Sequence, residues 1–351
     1  MSDLRKDPLL DHWVIVAANR SQRPGAFIES PPFEPGLPCP FCEGREAETP
    51  PEVLAFRDAS SAADGPHWRV RVVPNKFPAI ETKDDTGTID EGPVGRALAR
   101  LQRNDAQPID EGIYHHLDAC GAHEVIVESP RHLASTSDLS AAELTEVLLA
   151  YQLRLAYWKR DPRMAYAQVF KNVGQAAGAS LEHAHSQLLV IPRVPNVIAA
   201  ELSGAIDYFR RCGCCPFCDM IREELSAGER IVEETVHHVS FAPYAARLPF
   251  ETWILPKCHA SHYEETPREH LEDLAGIVRS VIRRLEAAVG RCAYNYALHT
   301  TPFDETTALA HYHWHIEIVP AMVKTAGFEL GTGWFINPIA PETAAKMMRE
   351  T

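Results

Sequence analysis

Two copies of one tetrapeptide, Cys39-Pro40-Phe41-Cys42 and Cys215-Pro216-Phe217-Cys218, place paired thiols on short turns. Each is followed downstream by a histidine at the end of an apolar run, His132 or His259, and then by a His-x-His, at His183-Ala-His185 and His313-Trp-His315. Zinc closes tetrahedrally on four sulfur and nitrogen ligands. The expected sets are therefore Cys39, Cys42, His132 and His183 in the first copy, and Cys215, Cys218, His259 and His313 in the second. Buried reduced cysteines beside core histidines, or a redox Cys-x-x-Cys, are the competing readings; two matching copies with paired histidines favour zinc. On a strand the two histidines of His-x-His share a face, so one can hold a metal while the other addresses a ligand.

The elements that must position these residues also come in duplicate. Arg69 to Pro74 alternates and stops at proline, and His123 to His132 reads as a second strand, ending in a histidine. Ser140-Ala-Ala-Glu143 is a capping box, followed by Leu144, Val147, Leu148, Tyr151, Leu155 and Trp158 at helical spacing. A strand from Tyr166 to Asn172 and another from His183 to Pro192 complete the first unit. The second half replays the order: strands at His238–Pro243 and Phe250–His259, a capping box at Thr266-Pro267-Arg268-Glu269 with proline at the first helical position, and a stripe from Leu271 to Leu285. Strands at Tyr294–His299 and His313–Pro320 close it. His132 to His183 spans 51 residues and His259 to His313 spans 54. Between the first two strands the first copy carries about 42 extra residues, including the polar stretch Glu81–Gly92, expected as a surface excursion. The expectation is an α+β fold made of a duplicated unit, a mostly antiparallel sheet with flanking helices, divided at 1–195 and 196–351 and sharing one sheet.

Length and composition agree. The chain has 351 residues, 45% hydrophobic and 23% charged, which suits about two globular domains. A net charge of −14 argues against a phosphate-backbone partner, so no nucleic acid is expected. The start lacks an apolar leader and no run approaches a membrane span, so no membrane partner is expected either. Nine cysteines without a leader suit a reducing, cytoplasmic location.

Ahead of the first His-x-His lies Lys171-Asn172-Val173-Gly174-Gln175-Ala176-Ala177-Gly178-Ala179-Ser180, a small-residue loop whose amides could approach a phosphate. His183-Ala-His185-Ser-Gln187 with this loop resembles the galactose-1-phosphate uridylyltransferase family of the histidine-triad superfamily, and is also similar to the related plant-type ADP-sugar phosphorylase. The likeness extends through Asn19-Arg20-Ser-Gln-Arg23-Pro24, Pro74-Asn75-Lys-Phe77-Pro78, Ser129-Pro130-Arg-His132 and Pro249-Phe250-Glu-Thr-Trp-Ile-Leu-Pro256-Lys257.

The resemblance implies a duplicated histidine-triad-like fold and a set of roles. His185 would attack the α-phosphorus of a nucleotide sugar and carry the nucleotide covalently, releasing hexose 1-phosphate; His183 would anchor its strand to zinc. Gln187 and Ser180, with the loop around Gly178, would donate to phosphate oxygens. Asn75 and Asn172 would contact nucleotide or phosphate, and Arg20 and Arg23 would neutralise the diphosphate, against a reading of that pair as solvated surface charge. Histidine-triad hydrolases carry a third histidine where this chain has Gln187; an amide cannot shuttle protons, so transfer is expected over hydrolysis. Glu317 in the matching place of the second copy would repel a phosphate, so that copy is not expected to be a second active site.

The same resemblance offers a rival second metal set, Glu201, His299, His313 and His315, with iron or another metal as the alternative to zinc there; the cysteines favour the Cys2His2 set. Near the end, Phe328-Glu329-Leu330-Gly331-Thr332-Gly333 departs from the Phe-x-x-Gly-Tyr-Glu of enterobacterial uridylyltransferases and is closer to the phosphorylase version. The expected reaction is exchange of UMP between UDP-glucose and galactose 1-phosphate. An ADP-sugar phosphorylase with phosphate as acceptor is the alternative, and a zinc-stabilised nucleotide-binding protein without transferase activity is the reading from another class. The resemblance further implies a homodimer.

Overall fold

The computed structural model describes residues 2–10, 13–22, 38–81, 120–304 and 309–351. Arg23 and nearly all of the Glu81–Gly92 stretch lie outside them.

Ten strands form one antiparallel sheet. Five come from the first half, β3 (Leu54–Arg57), β4 (Trp68–Pro74), β5 (Ala122–Val127), β6 (Tyr166–Val173) and β7 (His185–Ile191). Five come from the second, β8 (Ile231–Glu234), β9 (His238–Phe241), β10 (Thr252–Pro256), β11 (Tyr294–His299) and β12 (His315–Pro320). The order β3-β4-β5-β7-β6-β11-β12-β10-β9-β8 reads the same from either edge once β3 is matched to β8, β4 to β9, β5 to β10, β6 to β11 and β7 to β12. The halves meet where β6 and β11 pair antiparallel, Tyr294 opposite Val173 and Leu298 opposite Val169. Outside this sheet, β1 (Asp3–Lys6), β2 (Trp13–Val16) and β13 (Phe335–Asn337) make a three-stranded patch tying the two chain ends together.

Each half sends one long helix across the same face of the sheet, α1 (Ala141–Trp158) between β5 and β6 and, in the second half, the helix at Arg268–Val289 between β10 and β11. In α1 the Ser140 hydroxyl accepts from the Glu143 amide while the Glu143 carboxylate accepts from the Ser140 amide, the reciprocal box the sequence announces. Leu144, Val147, Leu148, Tyr151 and Leu155 are buried against the sheet. Two helices lie between, α2 (Asn196–Cys212) and α3 (Pro216–Ala227), so the helix at Arg268–Val289 is α4. Its Leu271, Leu274, Ile277, Val278, Val281, Ile282 and Leu285 share one apolar core with α1. The expected box at Thr266 is not formed. Thr266 closes a short 3-10 turn at Tyr263–Glu265, and Pro267 takes the N-cap position instead of the first helical one, so no side chain caps α4. Two short helices, α5 (Gly327–Thr332) and α6 (Pro341–Arg349), complete the chain.

With α1 and α4 covering one face, the other face is left for chemistry. Alternation along β7 places His185 and Gln187 on it and turns Ser186 towards α1, where its hydroxyl meets Tyr151.

Candidate active site and metal centres

The first cysteine pair and two histidines converge from three separate loops. Cys39 Sγ lies 3.5 Å from His183 Nδ1, Cys42 Sγ 3.5 Å from His132 Nδ1 and 3.6 Å from His183 Nδ1. All four ligand atoms fall within 4.8 Å of one another. Ligands about 2.3 Å (sulfur) and 2.0–2.1 Å (nitrogen) from a tetrahedral centre stand roughly 3.5 Å apart, so the spacing fits zinc. His183 Nε2–H donates to the Ser129 carbonyl at 2.7 Å, which turns Nδ1 to the thiols. Burial pushes the His183 imidazole down to about 4, keeping it in the neutral form a metal requires. His132 and His259 stand in loops beyond the ends of β5 and β10, past the strand termini.

The second set repeats this. Cys218 Sγ lies 3.5 Å from His259 Nδ1 and 3.8 Å from His313 Nδ1, and the two rings donate through Nε2 to the Leu309 and Pro256 carbonyls. Cys215 completes the group. Here Pro216 starts a helix, α3, in place of the turn formed at Cys39. A third cluster, Glu201, His299 and His315, converges separately; His313 brings its ligand atom to the cysteines.

His185 opens β7 and is 7% exposed. Its Nδ1–H donates to the His183 carbonyl at 2.7 Å, leaving the Nε2 lone pair for a ligand. Burial holds its pKa below the ordinary value, so the ring is neutral near pH 7. A cavity of about 620 Å³ opens here, lined among others by Phe41, Asn75, Phe77, Ser180, His185 and Gln187. The Phe41 ring centre lies 5.2 Å from that of His185, which explains the phenylalanine inside the tetrapeptide; Phe77, 83% exposed, stands at the rim.

Other expected residues stand elsewhere. Arg20 is exposed on a 3-10 turn at Ala18–Gln22 and does not line the cavity. Asn172 Oδ1 accepts from Asn295 across the β6–β11 seam. Gly178 takes the left-handed conformation, φ +87°, and the amides of Ala177, Gly178 and Ala179 donate within the loop to the Gly174 and Gln175 carbonyls. Those three amides are therefore spent on the turn itself, and Ser180 is the loop's contribution to the cavity. Sequence reasoning missed His123, whose Nε2 meets Gln187 Oε1 at 2.8 Å. The available signal was period two: His123 shares a face with Val125, which pairs with Gln187.

The equivalent place in the second half is filled. His315 has no exposure, Trp253 stacks on it at 5.1 Å, and only about 10 Å³ remains beside Leu9, Arg247 and Glu317. Gly204 on α2 makes this possible, since a Cβ there would stand 1.9 Å from the Leu9 carbonyl oxygen. Against the cost of burial, Arg247 at 2.5 Å keeps Glu317 ionised.

Known proteins resemble this chain along its whole length. Residues 115–351 match the family described as "Domain of unknown function (DUF4921)". The chain is 36% identical to an ADP-glucose phosphorylase of Arabidopsis thaliana, over 99% of this chain and 92% of that one. It is 26% identical to the galactose-1-phosphate uridylyltransferase of Thermotoga maritima, over 100% and 99%. The chain belongs to the DUF4921 family, which is galactose-1-phosphate uridylyltransferase-like. Its fold is α+β with one large antiparallel sheet, and its activity is of nucleotidyltransferase type. The crystal structure of the Arabidopsis thaliana ADP-glucose phosphorylase with bound ADP-glucose superposes with a TM-score of 0.79 at 34% identity, covering 100% of this chain and 99% of the other. Among the described residues no helix is long and apolar enough to cross a membrane.

Proposed function

We propose that the chain moves a nucleotidyl group from a nucleotide sugar to a second phosphate-bearing acceptor through a covalent bond to His185 Nε2. The carrying observation is one ring: buried, neutral, with Nδ1–H held by the His183 carbonyl and Nε2 free at a cavity shared with Gln187. The Nε2 lone pair attacks the α-phosphorus, the bond to hexose 1-phosphate breaks, and that phosphate leaves with the electron pair. The ring becomes cationic, and its Nδ1–H bond to His183 strengthens in step. An acceptor phosphate oxygen then reverses the displacement and frees the ring. Phosphate leaves as an anion without a proton donor, so Gln187, which has none to give, suits the site. Its amide and the Ser180 hydroxyl would donate to the non-bridging oxygens.

Exchange of UMP between UDP-glucose and galactose 1-phosphate is supported by the Thermotoga maritima relative, similar from end to end. A second reading, adenylyl transfer from an ADP-sugar to phosphate, is favoured by the higher identity to ADP-glucose phosphorylase and by the Phe328–Gly333 stretch. Zinc in both Cys2His2 sets, a cytoplasmic location and a homodimer belong to the same proposal. Intact-mass measurement after incubation with UDP-glucose or ADP-glucose, without acceptor, tests it. A uridylyl adduct cleared by galactose 1-phosphate supports the first reading, and an adenylyl adduct cleared by phosphate the second. No adduct from either, in zinc-replete protein, leaves a nucleotide-binding protein.

A further inference from the structure

His123 stands at the start of β5, on the cavity face, diagonal to Gln187 on β7: Val125 pairs with Gln187 and His123 with Leu189. Both ring nitrogens are engaged. The Ala79 amide donates to Nδ1 at 3.1 Å, so Nδ1 carries a lone pair and the neutral ring carries its proton on Nε2. That proton faces Gln187 Oε1 at 2.8 Å. With its carbonyl oxygen taken, Gln187 turns its NH2 end away from His123. Rotating the amide by half a turn would set NH2 against Nε2–H, two donors face to face, and would present an oxygen to an incoming phosphate. Asn75 Nδ2, at 3.2 Å from the same Nε2, is a donor too, because Asn75 Oδ1 accepts from the Phe77 amide at 2.9 Å. Nε2 therefore has one acceptor partner, Gln187.

The second half carries the same relationship in inverted form. Trp253 pairs with Glu317 as Val125 pairs with Gln187, so Glu251 occupies the place of His123. Glu251 binds Arg247 at 2.7 Å, and Arg247 binds Glu317. In both halves the side chain two residues before the strand partner dictates what the residue at the third position of the motif presents.

We propose that His123 is a positioning residue for nucleotidyl transfer: held as its Nε2–H tautomer by the Ala79 amide, it locks the Gln187 amide with NH2 towards the transferred phosphoryl group. The assignment rests on the transfer reading above. Its specificity is for an anion over a group that would need an acceptor, since the locked amide can only donate.

The test is a kinetic cycle on the full chain, with the rate of His185 nucleotidylation read by quench and intact mass. His123→Phe removes the donor; it should slow loading on the order of 10- to 100-fold, less than the roughly 100- to 1000-fold lost with an oxyanion donor itself, because the Gln187 amide is freed to rotate and not removed. In a Gln187→Ala background the same substitution should change the rate less than about twofold, because the group it acts through is gone. His123→Gln, which restores an N–H donor, should recover part of the rate at an unchanged melting temperature. Wild-type loading in His123→Phe, or equal slowing in both backgrounds, overturns the assignment while leaving the transfer reading intact. Should His123→Phe fail to fold, His123→Gln alone decides, since a rate equal to that of Gln187→Ala overturns the assignment and a rate above it upholds it. A wild-type chain that forms no adduct overturns the transfer reading itself, and this assignment with it.

Discussion

Lys171 and Glu128 form an ion pair with no solvent exposure on either side chain, on the face of the sheet opposite His185. Glu128 also accepts from Ser186 at 2.8 Å, and Ser186 is the residue between His185 and Gln187. The pair therefore sits beneath the catalytic segment of β7. Removing one partner leaves a bare charge in the core; Lys171→Met should cost about 3–5 kcal/mol. Adding Glu128→Gln should return much of that. Urea unfolding of the three variants measures it, and a double variant no more stable than Lys171→Met would contradict the account.

Metal content separates the two second-site readings. Purified protein should carry about two zinc per chain, falling to about one in Cys39→Ser and to about one in Cys215→Ser. Glu201→Gln should keep both. Loss of a metal from Glu201→Gln with retention in Cys215→Ser would transfer the second site to Glu201, His299 and His315.

The two His-x-His motifs should behave oppositely. His185→Asn should form no nucleotidyl adduct. His315→Asn should load normally, because that ring is fully buried under Trp253 and the space beside Leu9, Arg247 and Glu317 is only about 10 Å³, room for roughly one water. An adduct surviving in His185→Asn would refute the nucleophile assignment.

Stability should fall in mild acid through His238. Its Nδ1–H donates to Asp273 at 2.8 Å while Nε2 is buried without a partner, so a second proton has nowhere to bond. Burial, partly offset by Asp273, pushes this imidazole down to about 4. The unfolded chain titrates near 6.5 and binds the proton first; the stabilisation is complete above that value and lost as pH falls from 6.5 towards 4. Between pH 7.5 and 5 this group should account for about 2 kcal/mol. The bonds from Thr235 and His238 hold Asp273 below its usual range despite burial, so it titrates beneath this window. His270 and His237, whose rings stack on one another at 4.0 Å nearby, lower the His238 value further. Denaturant melts at both pH values should show a smaller loss in His238→Gln than in the parent chain.

What was legible in the sequence was whatever one segment could state by itself. The Ser140–Glu143 box is complete within four residues, and the stripes of α1 and α4 need only their own periodicity. The metal sets were legible because each motif occurs twice in the same order. Thr266 misled because a 3-10 turn ending on it is decided by what precedes the helix. In the glycine loop three amides, of Ala177, Gly178 and Ala179, close on the loop's own carbonyls, which composition does not reveal. His123 was silent because its partner is set by the register of β5 against β7, a relationship between segments more than 60 residues apart.

The seam between β6 and β11 has a further consequence. It is the only join between the two five-stranded halves of the main sheet among the described residues, and each half alone would end there in an unpaired row of amides and carbonyls. A chain severed after 195 would present β6 as an open template of eight residues. The antiparallel partner it lacks has the shape of β6 itself, so such a fragment should self-associate across that edge, remaking the covalent duplication as a non-covalent dimer.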